Sequence, residues 1–193
     1  MTYRVGGLGE PATFDSGASL LITGESALTK QRLFDAVAPE ANERTVVITA
    51  DSGAETVVDE LESRGASRDQ LGVIDCTSTE SDVEGVPVRQ LNSPGDLTGL
   101  SLEFAKLLDD DPDRVRVGFS SISTVLMYAE LRTMFRFLHV FTARIRSGGM
   151  LGVFSMDPGM HEEQAVNTIR AVFDAEARIG DDSADLRGMR FAQ

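Results

Sequence analysis

Gly24 and Lys30 stand six residues apart, directly after the apolar run Leu20-Leu21-Ile22-Thr23 and ahead of a stretch with helical spacing. A strand that turns at a glycine and enters a helix near a lysine has the layout of a phosphate-binding loop, G-x-x-x-x-G-K-[ST]. In such a loop backbone N–H groups cradle phosphate oxygens, the lysine supplies charge, and the closing hydroxyl reaches Mg²⁺. Of the four defined positions in Gly24-Glu25-Ser26-Ala27-Leu28-Thr29-Lys30-Gln31, two are kept. Thr29 replaces the second glycine, and its Cβ obstructs the close backbone path around a phosphate. Gln31 replaces the hydroxyl, and Glu25 adds negative charge where an anion would bind. Taken alone, a Gly and a Lys at this spacing also arise by chance, with Lys30 a solvated residue in the first turn of a helix.

Other reactive side chains support less. Asp75 and Cys76 end a predicted strand, where α/β sites often lie, but a buried Cys there is more often packing. His139 falls inside an apolar helical segment and is expected to be a satisfied core residue. His161 lies beside Glu162 and Glu163 with no second His or Cys near it, which suits a charged helix N-terminus better than a metal site. Ser120-Ser121 lacks the flanking glycines of a nucleophile elbow. No catalytic residue and no metal ligand is assigned.

These residues need elements to hold them. Strand signals recur at 20–23, 45–50, 72–76, 115–119 and 150–154, with weaker ones near 177–179 and 186–191. Helical spacing covers 28–37, 54–64, 96–108 (with Asp96 as cap), 123–147 and 161–173. The acidic run 109–113, with Pro112, is expected to end the third of these. Apolar, β-branched runs joined by helices imply parallel crossovers with helices on both sheet faces. The expectation is one α/β domain over residues 1–193.

Several segments then fall in an order that resembles RecA/KaiC-type P-loop ATPases. Arg116-Val117-Gly118-Phe119-Ser120-Ser121-Ile122-Ser123-Thr124 is similar to their Walker B region, with Ser120 where the metal-associated Asp would stand. Thr49-Ala50-Asp51-Ser52-Gly53-Ala54-Glu55 is similar to the segment carrying paired carboxylates, with Asp51 at the first and Ser52 at the second. Asn92-Ser93-Pro94-Gly95-Asp96-Leu97-Thr98 and Phe154-Ser155-Met156-Asp157-Pro158-Gly159-Met160-His161 resemble later loops. The resemblance implies a RecA-like three-layer sandwich with a mainly parallel sheet. Counting the five strong strands in chain order, it implies the arrangement 5-1-4-3-2, with the Gly24 strand beside the Ser120 strand and weak C-terminal strands added.

It also implies an inactivated, haloarchaeal-type member in which Gly24, Thr29 and Lys30 are a vestigial P-loop. Phosphoryl transfer rests almost wholly on positioning and charge stabilisation, and four of the groups that supply these are altered together. The resulting expectation is a non-catalytic regulatory or signalling protein acting through protein–protein contacts, without a cofactor. The alternative is a divergent ATP-binding protein or ATPase with an unusual P-loop. A third, weaker option, a DNA-associated role, is suggested only by the RecA resemblance.

Composition narrows the partners. The 31 Asp plus Glu exceed the 18 Lys plus Arg, for a net charge of -13, and Lys30 and Lys106 are the only lysines. Such a surface repels nucleic acid unless a basic face is segregated, and the nearest such face is Arg132, Arg136, Arg144 and Arg146. The absence of an eighteen-residue apolar stretch and the polar N-terminus read as neither membrane span nor signal peptide. The lone Cys76 excludes an internal disulfide, and a cytoplasmic location is expected. Residues 123–147 carry apolar side chains nearly all round, which fits either burial between the sheet and its neighbouring helices or an interface with a protein partner or a homo-oligomer. A lysine-poor acidic surface suits a salt-rich cell, where ions screen self-repulsion. Thermal melts in dilute and in molar KCl are therefore expected to show a rise in Tm with salt. An unchanged or lower Tm would refute the halophilic reading.

Overall fold

The computed structural model describes residues 1–108 and 114–188. The expected helix stop at 109–113 and the end of the strand expected at 186–191 lie outside these residues. A hairpin, β1 (Thr2–Val5) and β2 (Ala12–Asp15), opens the chain. There follow β3 (Ser19–Thr23), α1 (Ser26–Val37), β4 (Arg44–Thr49), α2 (Ala54–Glu62), β5 (Leu71–Asp75), β6 (Val88–Gln90) and α3 (Leu97–Leu108). Then come β7 (Val115–Ser120), α4 (Ile122–Val125), α5 (Leu131–Ser147), β8 (Leu151–Met156), α6 (Glu163–Arg170), β9 (Ala175–Ile179) and β10 (Ala184–Gly188). Asp96 does cap α3, accepting from the Gly99 N–H at 2.9 Å.

The main sheet is α/β in character: eight strands in the order β10-β9-β3-β8-β7-β4-β5-β6, all paired in parallel except β10, which is antiparallel to β9. Strands β3, β5, β7 and β8 are buried at every residue, so both faces need cover. Leu20 and Ile22 turn to a core shared with α1, α2 and the hairpin. Leu21, Val46 and Ile48 turn to the opposite core, shared with α3, α5 and α6.

The strand order corrects the expectation. The same five strands run 1-5-4-2-3, not 5-1-4-3-2, because β8 lies between β3 and β7. The reason is the reach of α1, which packs over β3, β8 and β7 before the chain re-enters the sheet at β4. Gly118 in β7 allows that approach, since a Cβ there would already touch Leu33 and Val37 at 3.4 Å. Strand periodicity cannot reveal how many strands a crossover helix spans.

The helix expected over 123–147 is also corrected. It is broken at 126–130, where Glu130 is extended (φ -67°, ψ 147°). At 100° per residue, Ile122 and Val125 point about 150° away from Met134, Leu138, Phe141 and Ile145, so one straight helix could not bury both sets. The break rotates the second set onto β8. Consequently α5 buries one stripe and leaves Val140 (69%) and His139 exposed, with Met127 (70%) and Tyr128 (61%) exposed in the break. His139 is thus a surface residue, not a core one.

At the other end of the sheet, Glu43 is a buried carboxylate between two guanidiniums. Its Oε2 accepts from Arg116 Nε at 2.6 Å, and its Oε1 from Arg114 Nη2 at 2.7 Å. Arg116 also donates to the Ala36 carbonyl at 2.9 Å, tying the last turn of α1 to β7. Tyr3 of β1 closes over both arginines, with ring-to-guanidinium distances of 4.4 and 5.6 Å. Burial alone would raise the Glu43 carboxyl, but hydrogen bonds from Arg116, the Glu40 N–H and Arg114 outweigh it and hold the group below its ordinary value. A carboxyl lowered in the folded state stabilises above the unfolded pKa of about 4.3, and that contribution is lost as pH falls below it. Glu43→Gln leaves two buried or half-buried cations without their counter-charge. It should cost about 3–5 kcal/mol in urea melts at neutral pH. The variant should also lose part of the acid sensitivity of the parent below about pH 4.

Candidate functional site

The carboxyl ends of β3, β4, β7 and β8 meet at one edge of the sheet, the side on which open α/β sheets place their ligands. Each strand delivers one part of the sequence-predicted site. Gly24 follows β3, Asp51 and Ser52 follow β4, Ser120 ends β7, and Ser155, Met156 and Asp157 end or follow β8. Tertiary structure does gather Lys30, Asp51, Ser52 and Ser120.

Their mutual contacts are internal. Lys30 Nζ lies 2.9 Å from Asp51 Oδ2 and donates to Ser52 Oγ at 2.9 Å. Ser120 Oγ donates to the other oxygen, Asp51 Oδ1, at 2.9 Å. The lysine that would meet a phosphate therefore already has a counter-charge, and the serine in the Walker B position holds that carboxylate.

The loop itself is short. Helix α1 starts at Ser26, so Thr29 and Lys30 lie within it, and the Thr29 N–H donates to the Glu25 carbonyl at 3.0 Å. An N–H bonded along the helix is not available to cradle an oxygen. Thr29 is buried, and its hydroxyl donates to the Ser26 carbonyl at 3.1 Å. Gly24 has φ 154°, and a Cβ there would lie 2.6 Å from the Ile179 carbonyl oxygen, so this glycine answers to the packing of β9. Gln31 faces away, accepting from Arg64 Nη2 at 2.8 Å.

The N-terminus of α1 is capped by a carboxylate from another strand. Asp157 Oδ2 accepts from the Ser26 N–H at 3.1 Å and the Ser26 hydroxyl at 2.9 Å, while Oδ1 accepts from the Gly159 N–H at 2.9 Å. Free N–H groups and the helix dipole favour an anion at this point, and Asp157 provides one. The space enclosed by Ser26, Thr29, Lys30, Asp51, Ser121, Ser155, Met156 and Asp157 is about 10 Å³, near the size of one water. Ser121, at φ 74° and ψ 84°, is a strained non-glycine at this edge, held by its N–H to Ser155 Oγ at 3.0 Å and by capping Thr124 at 3.1 Å.

Sequence reading missed the pair Ser123 and His161, whose Oγ and Nε2 lie 2.8 Å apart. Only the fold brings β8's following loop against α4. Burial lowers the His161 imidazole below its ordinary value, with Asp157 pulling the other way. Ser123 is fully buried and also accepts from the Asp157 N–H at 3.0 Å, so the pair fixes the capping loop instead of offering a nucleophile. Burial, then Asp75 and Asp96, push the Cys76 thiol up to about 12, far from a reactive thiolate. Asp75 is consumed by Ala54 N–H, Thr77 and Ser81, capping α2 as Asp157 caps α1. Among the described residues no group of three or more His, Cys, Asp or Glu could hold a metal ion, and no helix is long and apolar enough to cross a membrane.

If Asp157 is a cap, removing it should act on stability. Asp157→Ala is expected to lower the unfolding free energy by about 1 kcal/mol, and Asp157→Asn by clearly less, since Asn still accepts. Equal losses in both variants by urea denaturation would contradict the capping role.

Comparison with known proteins agrees with the fold. The chain is similar to a protein from Pyrococcus horikoshii OT3 solved in a structural study of project PH0250, at 12% identity and a TM-score of 0.64, over 90% of this chain and 87% of that one. It is also similar to the KaiC-like protein PH0186 of the same hyperthermophilic archaeon, at 14% identity and a TM-score of 0.57, over 92% of this chain and 81% of that one. At these identities the likeness concerns the RecA/KaiC-like fold alone. No curated protein matches the sequence. Residues 17–179 match the Family of unknown function (DUF7504), and the chain belongs to that family.

Proposed function

We propose that this protein is a non-catalytic regulatory or signalling protein on a degenerate RecA/KaiC-like ATPase fold, acting through protein contacts and without a cofactor. The observation that carries this reading is the self-contained state of the nucleotide edge. Lys30 is paired with Asp51, the α1 N-terminus is capped by Asp157, and about 10 Å³ of space remains between them. A triphosphate and its Mg²⁺ need vacant donors and a hydroxyl or carboxylate for the metal. Here Ser52 and Ser120 stand where carboxylates would act, and both hydroxyls are engaged with the Lys30–Asp51 pair. Gly24, Thr29 and Lys30 are in this reading the remnant of a phosphate loop. What such a scaffold retains is surface, including the apolar Met127, Tyr128 and Val140.

ATP turnover indistinguishable from that of a mock-purified control is the expected result of a phosphate-release assay with Mg²⁺, in dilute and in molar KCl. Hydrolysis above that control, abolished by Lys30→Ala, would establish the divergent ATPase in its place.

A further inference from the structure

Helix α5 carries Arg132, Arg136, Arg144 and Arg146 and no acidic residue, in a chain of net charge -13. All 31 acidic residues lie elsewhere, so a basic face has been kept against the overall composition. The four arginines are not equivalent. Arg144 turns inward, its guanidinium 5.3 Å from the Phe104 ring centre. Arg146 pairs with Asp174 at 3.1 Å, on an exposed side chain. Arg132 and Arg136 are exposed and have no hydrogen-bond or ion-pair partner among the described residues.

Helical spacing places Arg132, Phe135, Arg136, His139 and Arg146 on one stripe, since steps of three, four and seven residues return to the same face. Phe135, His139 and Arg146 of that stripe, with Thr142 and Ala143, form one wall of an open groove of about 890 Å³, whose other wall is Ala171, Val172, Phe173 and Asp174, and Arg132 and Arg136 continue the stripe beside it. Phe135 stacks on His139 with ring centres 6.3 Å apart, and Val140, outside the groove lining, is 69% exposed. Aromatic and Arg side chains around an apolar floor are the composition of an interface centre. From Arg132 to Arg146 the stripe runs about 21 Å, the length of a helix of roughly fourteen residues.

We propose that this groove docks an acidic amphipathic helix of a partner protein, its apolar stripe on Phe135, Val172 and Phe173 and its carboxylates on Arg132 and Arg136. Charge complementarity selects this occupant. A symmetric dimer through the same face would set the arginine-bearing stripe of one copy against that of the other. The acidic helix α2 of a second copy has no apolar stripe to offer, because Val57, Val58 and Leu61 are buried in its own core. Nucleic acid meets two unpaired arginines on an otherwise strongly acidic molecule. Arg146 can exchange Asp174 for a partner carboxylate at little expense, because exposed pairs are worth about 0–1 kcal/mol.

The inference rests on the proposed role in protein contacts, and its test leaves the ATPase question aside. The full chain is titrated, with anisotropy as readout, into a labelled peptide of about 18 residues with leucines at i, i+3, i+4 and i+7 and glutamates elsewhere. Parallel titrations use the same peptide with lysine for glutamate and a single-stranded DNA of about 20 nucleotides. Sedimentation of the free protein reports self-association. The acidic peptide is expected to bind with a Kd on the order of micromolar. Arg132→Glu with Arg136→Glu should weaken it at least about tenfold while leaving the thermal melt unchanged, both side chains being exposed and unpaired. Val140→Asp, outside the groove lining, should weaken it less. The proposal is overturned if the acidic peptide does not bind, if the double variant binds it equally, or if the lysine peptide or the DNA binds more tightly. A dimer that the double variant alters would overturn it as well. Binding by the groove together with ATP hydrolysis would retain this inference and remove the non-catalytic reading.

Discussion

A parallel sheet buried on both faces is the constraint on which the other features depend. β3, β5, β7 and β8 expose no residue, and each fully buried Leu, Ile or Phe contributes about 1.5–3 kcal/mol, more than any surface pair in the molecule. Two layers of helix must therefore cover it without gaps. That requirement sends α1 across three strands, sets Gly118 beneath Leu33 and Val37, and breaks the chain before α5 so that its apolar stripe faces β8. Phe154 illustrates the result, with Phe119, Phe141 and Phe173 all packed about its ring.

Covering the faces leaves the two edges of the sheet, where polar groups must be satisfied. The amino edge is closed by Glu43 between Arg114 and Arg116 beneath Tyr3. The carboxyl edge is closed by carboxylates that serve their neighbours: Asp75 caps α2, Asp157 caps α1, and Asp51 neutralises Lys30. Where a nucleotide-binding relative would keep donors open for a ligand, this chain uses its own side chains as the ligand. The helix begins at Ser26, whose N–H is committed to Asp157, and the Thr29 N–H is committed to the Glu25 carbonyl.

Closure at both edges shifts attention to the helix layer. On α5 and in the break before it, two arginines without an ion-pair partner among the described residues lie near uncovered apolar surface. Arg132 and Arg136 lie there, as do Met127, Tyr128 and Val140. The unpaired Arg132 and Arg136 face outward from this helix, whereas Lys30 at the carboxyl edge is paired with Asp51.

Sequence alone determined the elements and their class. Apolar, β-branched runs located the five central strands, and 3.6-residue spacing located α1, α2, α3 and α6, because both signals are local along the chain. It also determined which residue types stand at the altered loop positions, and the charge of -13. Tertiary structure decided what periodicity cannot encode. The hairpin escaped notice because β1 and β2 bury alternate positions over only four residues each, and β6 has three residues. The neighbours of β3 depended on the span of α1. The meeting of Ser123 with His161, and of Ser26 with Asp157 across 131 positions, depended on the sheet drawing distant strand ends to one edge. Whether the apolar residues of 123–147 lay all round one helix or on one side of two was settled by the break at 126–130, which lets Ile122 and Val125 and the later stripe of α5 both be buried.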